Sequence, residues 1–152
     1  MNLVIREAAE EDLPALLELY AQLGMDQGEV LSLDRAREIF RRIRTYPDYR
    51  IYLAEADGRA VATFALLVMD NLGHLGAPSA ILEDVVVAAD LRGQGVGRQM
   101  MAFATRLCRD KGCYKFFFSS NIHREAAHRF YENLGFEKQG YSFFIDLPEK
   151  DR

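Results

Sequence analysis

The residues best suited to chemistry lie in one run, Glu83-Asp84-Val85-Val86-Val87-Ala88-Ala89-Asp90-Leu91-Arg92-Gly93-Gln94-Gly95-Val96-Gly97-Arg98. A β-branched stretch meets a glycine-rich turn. Beyond it Val96, Met100, Phe103, Ala104 and Leu107 recur at helical spacing. The first N–H groups of a helix have no partner within it, and the helix dipole favours an anion there. Glycines let a ligand come close to the backbone, and Arg92 and Arg98 add positive charge. The turn is equipped to cradle a phosphate; a tight strand-to-helix turn that binds nothing is the alternative. A Walker loop is excluded, because the chain has no Gly-Lys pair. A GxGxxG dinucleotide fingerprint fails as well: the glycines are 93, 95 and 97, and Arg98 holds the last position.

Glu83 and Asp84 precede the valines and, on a regular strand, point to opposite faces. One of them is expected to face a ligand and the other to be a satisfied structural carboxylate. His74, His123 and His128 are scattered without metal-ligand spacing, so no metal is predicted, and Cys108 and Cys113 lack CxxC spacing. The two cysteines read as buried thiols in a reducing compartment.

The elements that must position these residues follow from the pattern. Residues 3–6 read as a first strand. Leu13, Leu16, Leu17, Tyr20 and Leu23 mark a helix that Gly24 ends, and a second helix is expected over 34–44. Residues 49–55 and 59–69 form strands joined by an Asp57-Gly58 turn. A loop covers 70–78, a central strand 80–87, and the glycine turn opens a third helix that Gly112 closes. A strand over 114–120, a helix over 124–134 ended by Gly135, and a last strand over 141–147 complete the order β-α-α-β-β-β-α-β-α-β. This predicts an α/β fold with a mixed sheet, parallel where a helix crosses over.

The 152 residues carry 49% hydrophobic and 28% charged side chains, ordinary globular composition, and read as a single domain over 1–152. A net charge of -4 makes nucleic acid an unexpected partner. No signal peptide is read at the start, and no apolar run approaches the ~20 residues that span a bilayer. A cytoplasmic protein with no membrane partner is expected.

Arg92, Gly95 and Gly97 also fill the pattern [RQ]-x-x-G-x-[GA]. This resembles the acyl-CoA pyrophosphate loop of the GNAT N-acetyltransferases. Ala126-Ala127-His128-Arg129-Phe130-Tyr131-Glu132-Asn133-Leu134-Gly135-Phe136 resembles that family's ending, and Ile5-Arg6-Glu7-Ala8 with Asp12-Leu13 resembles its first strand and helix. Within the family, Leu82-Glu83-Asp84-Val85-Val86-Val87 and Gly112-Cys113-Tyr114-Lys115 resemble the glucosamine-phosphate acetyltransferases. Ser120-Asn121 and 127–131 resemble the aminoalkylphosphonate acetyltransferases. The resemblance implies a GNAT fold: a mixed central sheet with a splayed pair of parallel strands, flanked by about four helices.

It further implies acetyl-CoA as cosubstrate and transfer of its acetyl group to a primary amine of a small molecule, by direct attack in a ternary complex. Gly93, Gln94, Gly95, Val96, Gly97 and Arg98, with Arg92, would hold the pyrophosphate. The backbone of Val85, Val86 and Val87 would pair with the pantetheine arm. Tyr131 would be the general acid for the leaving thiolate, with a core aromatic as the alternative, and Glu83 the base. Asn121 would hydrogen-bond the pantetheine or else start a turn. Arg124 stands where many members have a CoA-binding Asn; it would reach a phosphate or remain an exposed helical arginine. A homodimer is expected by the same resemblance. A catalytically silent acyl-CoA-binding module and a protein or peptide amine acetyltransferase are the alternatives.

Overall fold

The computed structural model describes residues 2–24 and 26–147. They fall into two compact units, Met1–Phe118 and Ser119–Arg152. The first unit is built on a five-stranded sheet in the order β1-β2-β3-β4-β5. The strands are β1 (Val4–Glu7), β2 (Tyr49–Ala56), β3 (Arg59–Met69), β4 (Ser79–Val87) and β5 (Lys115–Phe117). Its helices are α1 (Leu13–Ala21), α2 (Leu33–Ile43) and α3 (Val96–Asp110). β1 to β4 pair antiparallel, whereas β4 and β5 pair parallel because α3 carries the chain between them. This is the mixed sheet that the sequence predicts.

Local chemistry sets the element ends. Asp57 and Gly58 both adopt positive φ, 51° and 76°, as a two-residue hairpin turn between β2 and β3 requires. Ser32 caps α2 by accepting the Arg35 N–H at 3.3 Å. Arg6 on β1 donates to both carboxylate oxygens of Asp12 at 2.7 and 2.9 Å and to Glu55 on β2 at 2.7 Å. That fork fixes where α1 starts relative to the sheet, and it holds the Asp12 carboxyl below the usual carboxylate range.

The sheet buries both faces. On one, Leu13, Leu16 and Leu19 of α1 and Phe40 of α2 pack with Leu53 and Val86. On the other, Phe64 stacks on Tyr52 with ring centroids 5.1 Å apart, and Phe103 of α3 meets both rings edge-on. Burial pushes the Tyr52 phenol up to about 12.

In the second unit α4 (Glu125–Glu132) ends as its glycine predicts. Gly135 adopts φ 90°, and the Phe136 N–H returns to the Tyr131 carbonyl at 3.1 Å. Two strand expectations are corrected. β5 covers three residues rather than 114–120, and residues 141–147 form no strand. The aromatic alternation there is a strand pattern, but a strand exists only with a hydrogen-bonded neighbour, and 141–147 has none among the described residues.

Phe64 is 1% exposed between α3 and the sheet. Phe64→Ala should therefore cost about 3–5 kcal/mol in urea unfolding with an unchanged slope. A loss below about 1 kcal/mol would show that this aromatic layer is not part of the core.

Candidate functional site

The turn after β4 begins with a short helical turn, Ala89–Leu91. Gly93 (φ 76°) and Gly95 (φ 85°) then take left-handed conformations that residues with a Cβ rarely adopt. Gly95 is the residue on which α3 starts, and no side chain caps the helix. The first α3 amide to find a carbonyl is Gln99, bonded to Gly95 at 3.2 Å. The N–H groups of Val96, Gly97 and Arg98 therefore precede the first helical bond. A Cβ at Gly93 or Gly95 would meet nothing within 4 Å, so the space over the turn is open. Arg98 is exposed and makes no ion pair or hydrogen bond among the described residues. This places a cation beside an uncapped helix start, an arrangement suited to a phosphate.

Arg92 is engaged differently. Its guanidinium donates to the Val87 carbonyl at 3.3 Å and to the Gln22 carbonyl at 3.4 Å. The Gln22 side chain in turn accepts the Ala89 N–H at 2.9 Å. Arg59 holds Asp90 through two bonds of 2.6 and 3.0 Å, and Gln94 donates to the Asp90 carbonyl at 2.9 Å. Sequence reasoning missed Gln22 and Arg59, since each lies far from the turn in the chain and neither belongs to a motif.

β4 supplies the second feature. β5 pairs with Ser79, Ala80 and Ile81, so among the described residues β4 has no strand of the sheet on that side from Leu82 onward. This is the splay that the resemblance implies. Toward β3 the register jumps: Ala65 faces Glu83 while Thr63 faces Val86, so Asp84 and Val85 together oppose Phe64. This is a β-bulge, and Asp84 takes φ 51° in it. The expectation that Glu83 and Asp84 point to opposite faces is thereby corrected. Glu83 shares a face with its partner Ala65, and Asp84 lines a pocket that Ala65 also lines. An extra residue breaks the alternation on which the expectation relied. Burial raises the pKa of both carboxyls, and Asp84 raises that of Glu83 further.

That pocket, about 270 Å³, is bounded by α1, α2 and the sheet. Leu17, Ile39 and Ile43 are among its helical walls, and Tyr49 and Ile51 belong to its floor. Asp84 is the one charged side chain among the described residues lining it. Tyr20 and Tyr49 flank the carboxylate, and both phenols are pushed up by burial and then by Asp84. Asp84 itself makes no hydrogen bond or ion pair among the described residues.

In the second unit, Asn121 accepts the His123 N–H on its side-chain oxygen at 2.9 Å, an Asx turn leading into α4. Its carbonyl accepts the Arg124 N–H at 3.0 Å and stands 2.9 Å from His128 Nε2. Arg124 is the residue before α4. Tyr131 lies on α4 with Phe130 and Phe136 rings edge-on to it, and burial raises its phenol pKa while Arg124 opposes the shift. Cys108 is buried, with its thiol pushed up to about 12. His74 stacks on Tyr114 at 4.0 Å in the loop ahead of β4. Among the described residues, no group of three or more His, Cys, Asp or Glu could hold a metal ion, and no helix is long and apolar enough to cross a membrane.

Comparison with known proteins gives a consistent result. The model of the acetyltransferase (GNAT) family matches residues 13–136. The chain is 29% identical over 147 residues to a glucosamine 6-phosphate N-acetyltransferase of Trypanosoma brucei brucei, covering 97% of each. It is 29% identical over 139 residues to an aminoalkylphosphonate N-acetyltransferase of Salmonella typhimurium, covering 91% of this chain and 88% of the other. A solved chain from Agrobacterium tumefaciens assigned as an acetyltransferase superposes with a TM-score of 0.88 at 34% identity, covering 95% of this chain and 99% of that one.

The raised Asp84 carboxyl carries a stability consequence. The folded state holds that proton more tightly than the unfolded chain, whose Asp titrates near ~3.9. Stability should fall as pH rises from the unfolded value through the folded one. Asp84→Asn keeps the shape and tolerates positive φ. Its melting temperature should exceed the parent's at pH 7, with the difference shrinking toward pH 4. A difference that is absent or widens toward acid would contradict the assignment.

Proposed function

The chain belongs to the acetyltransferase (GNAT) family, which uses acetyl-CoA, and from that premise we propose that it transfers the acetyl group of acetyl-CoA to a primary amine of a small molecule. The observation that carries this reading is the uncapped start of α3 on Gly95, open to solvent and flanked by Arg98. Residues 93–98 would hold the pyrophosphate on main-chain N–H groups. Arg92 would act from behind, tying the turn to Val87 and Gln22. The unpaired edge of β4, Val85 to Val87, would bind the pantetheine amides as an added strand and offer an N–H to the thioester oxygen. Asn121 and Arg124 would add contacts to the cofactor's arm and phosphates. The family match crosses the boundary between the two units, which supports one catalytic domain over 1–152.

Acetyl-CoA supplies the acetyl group as a thioester. The residues manage protons. Glu83, more basic than an ordinary carboxylate, takes the proton that the amine loses. The amine nitrogen bonds to the carbonyl carbon, the carbon–sulfur bond breaks, the Tyr131 phenol gives the thiolate its proton, and the proton the nitrogen then sheds restores the phenol through solvent. A phenol is protonated at neutral pH, as an acid must be, and burial raises its pKa further. Neither cysteine is needed as a nucleophile, and the raised Cys108 thiol supports direct transfer. Two free cysteines support a reducing, cytoplasmic setting. The exposed apolar side chains of Tyr141, Phe143 and Ile145 support a homodimer.

Calorimetry with acetyl-CoA and an assay of thiol release on a panel of amines test this reading. Binding and turnover are expected. Tyr131→Phe should lower kcat by about 10²-fold or more with acetyl-CoA affinity unchanged. Gly95→Val, forcing a β-branched residue to positive φ, should weaken acetyl-CoA binding at least about tenfold. Binding without turnover on any amine would favour a regulatory module, and no binding would overturn the proposal.

A further inference from the structure

The pocket between α1, α2 and the sheet is unlike what an anionic acceptor needs. A phosphate or phosphonate is held by arginine or lysine forks. The described lining has neither, and its walls are leucine, isoleucine, phenylalanine and tyrosine. Four arginines on the neighbouring segments are committed elsewhere, while Arg44 lies over the ring of Phe40 at 5.9 Å to its centroid, outside the lining, and Arg42 is exposed. Arg41 forms a two-bond pair with Glu10 at 2.6 and 2.8 Å. Arg35 pairs with Glu38 at 2.6 Å, and Arg37 with Asp34 at 3.0 Å. Arg50 donates to the carbonyls of Tyr46, Pro47 and Tyr49.

What the pocket does present is one carboxylate. Asp84 is aimed there by the β4 bulge, without a protein partner, beside two tyrosine rings. Asp84 is exposed at the mouth of the pocket, so an ammonium can reach it, and its partial desolvation favours a cation beside it. The volume of about 270 Å³ equals roughly nine liquid waters at ~30 Å³ each, room for a short alkyl or single-ring body.

We infer that the acceptor is a primary amine on an apolar body without phosphate or other anionic groups, seated among the side chains of α1 and α2 with its ammonium on Asp84. This rests on the acetyltransferase reading and narrows its substrate class. It sets this chain apart from the relatives named for a phosphorylated sugar and for phosphonates. Asp84 captures the cation, and Glu83, on the same face of β4, receives the proton that must leave before attack.

The test uses the full chain with acetyl-CoA and two acceptor sets. One is the series from n-propylamine to n-hexylamine with phenethylamine; the other is glucosamine 6-phosphate with 2-aminoethylphosphonate. In the first set kcat/KM should rise about fourfold per added methylene until the pocket is full. The second set should be at least about tenfold poorer than hexylamine. Asp84→Asn should raise KM for hexylamine at least about tenfold while leaving acetyl-CoA affinity unchanged. A flat alkyl series, a preference for the phosphorylated acceptors, or an unchanged KM in Asp84→Asn would overturn the inference while leaving the acetyltransferase reading intact. If acetyl-CoA is not bound at all, that reading fails separately, and direct titration with hexylamine decides the pocket. Binding that Asp84→Asn abolishes would sustain an apolar-amine site, and absence of binding would overturn it.

Discussion

A helix that begins on a glycine cannot cap itself with a side chain. At the start of α3 the amides of Val96, Gly97 and Arg98 come before the first helical hydrogen bond, and no side chain turns back to accept from them. Such donors must meet water or a ligand. The surrounding structure holds them in place. Arg92 ties the turn to the end of β4 and to the residue after α1, while the Arg59–Asp90 pair anchors it to β3. The sheet is arranged to the same end, because β4 delivers the chain to this turn and loses its β5 neighbour after Ile81. An open strand edge therefore runs directly into an open helix end. An elongated ligand with amides at one end and a diphosphate at the other matches that pair of surfaces.

The bulge in β4 is the second constraint. One extra residue opposite Phe64 removes the alternation that would have separated Glu83 from Asp84. Two carboxyls share a face, and both are pushed toward protonation. Asp84 takes positive φ in this bulge, a strained conformation of the kind that clusters at functional sites.

Much of this was legible in the residues. The Asp57-Gly58 turn, the glycine end of α4 and the parallel crossing by α3 follow from spacing and from the few conformations glycine and aspartate favour. The turn at 92–98 was visible because phosphate cradles need small residues at fixed intervals. What was not legible came from long-range register. A bulge depends on how two strands count against each other, and β4 alone does not encode it. Gln22 and Arg59 reach the turn only through folding. The pattern in 141–147 specifies an apolar face without naming a hydrogen-bonding neighbour, which is why a strand was expected where none forms among the described residues.

The most direct measurement is amide NMR of the isotope-labelled chain during titration with coenzyme A. The N–H resonances of Val96, Gly97 and Arg98 should move furthest among the backbone amides and saturate together, as a diphosphate replaces water on them. Shifts confined to other parts of the chain, with these three amides unmoved at saturation, would contradict the account.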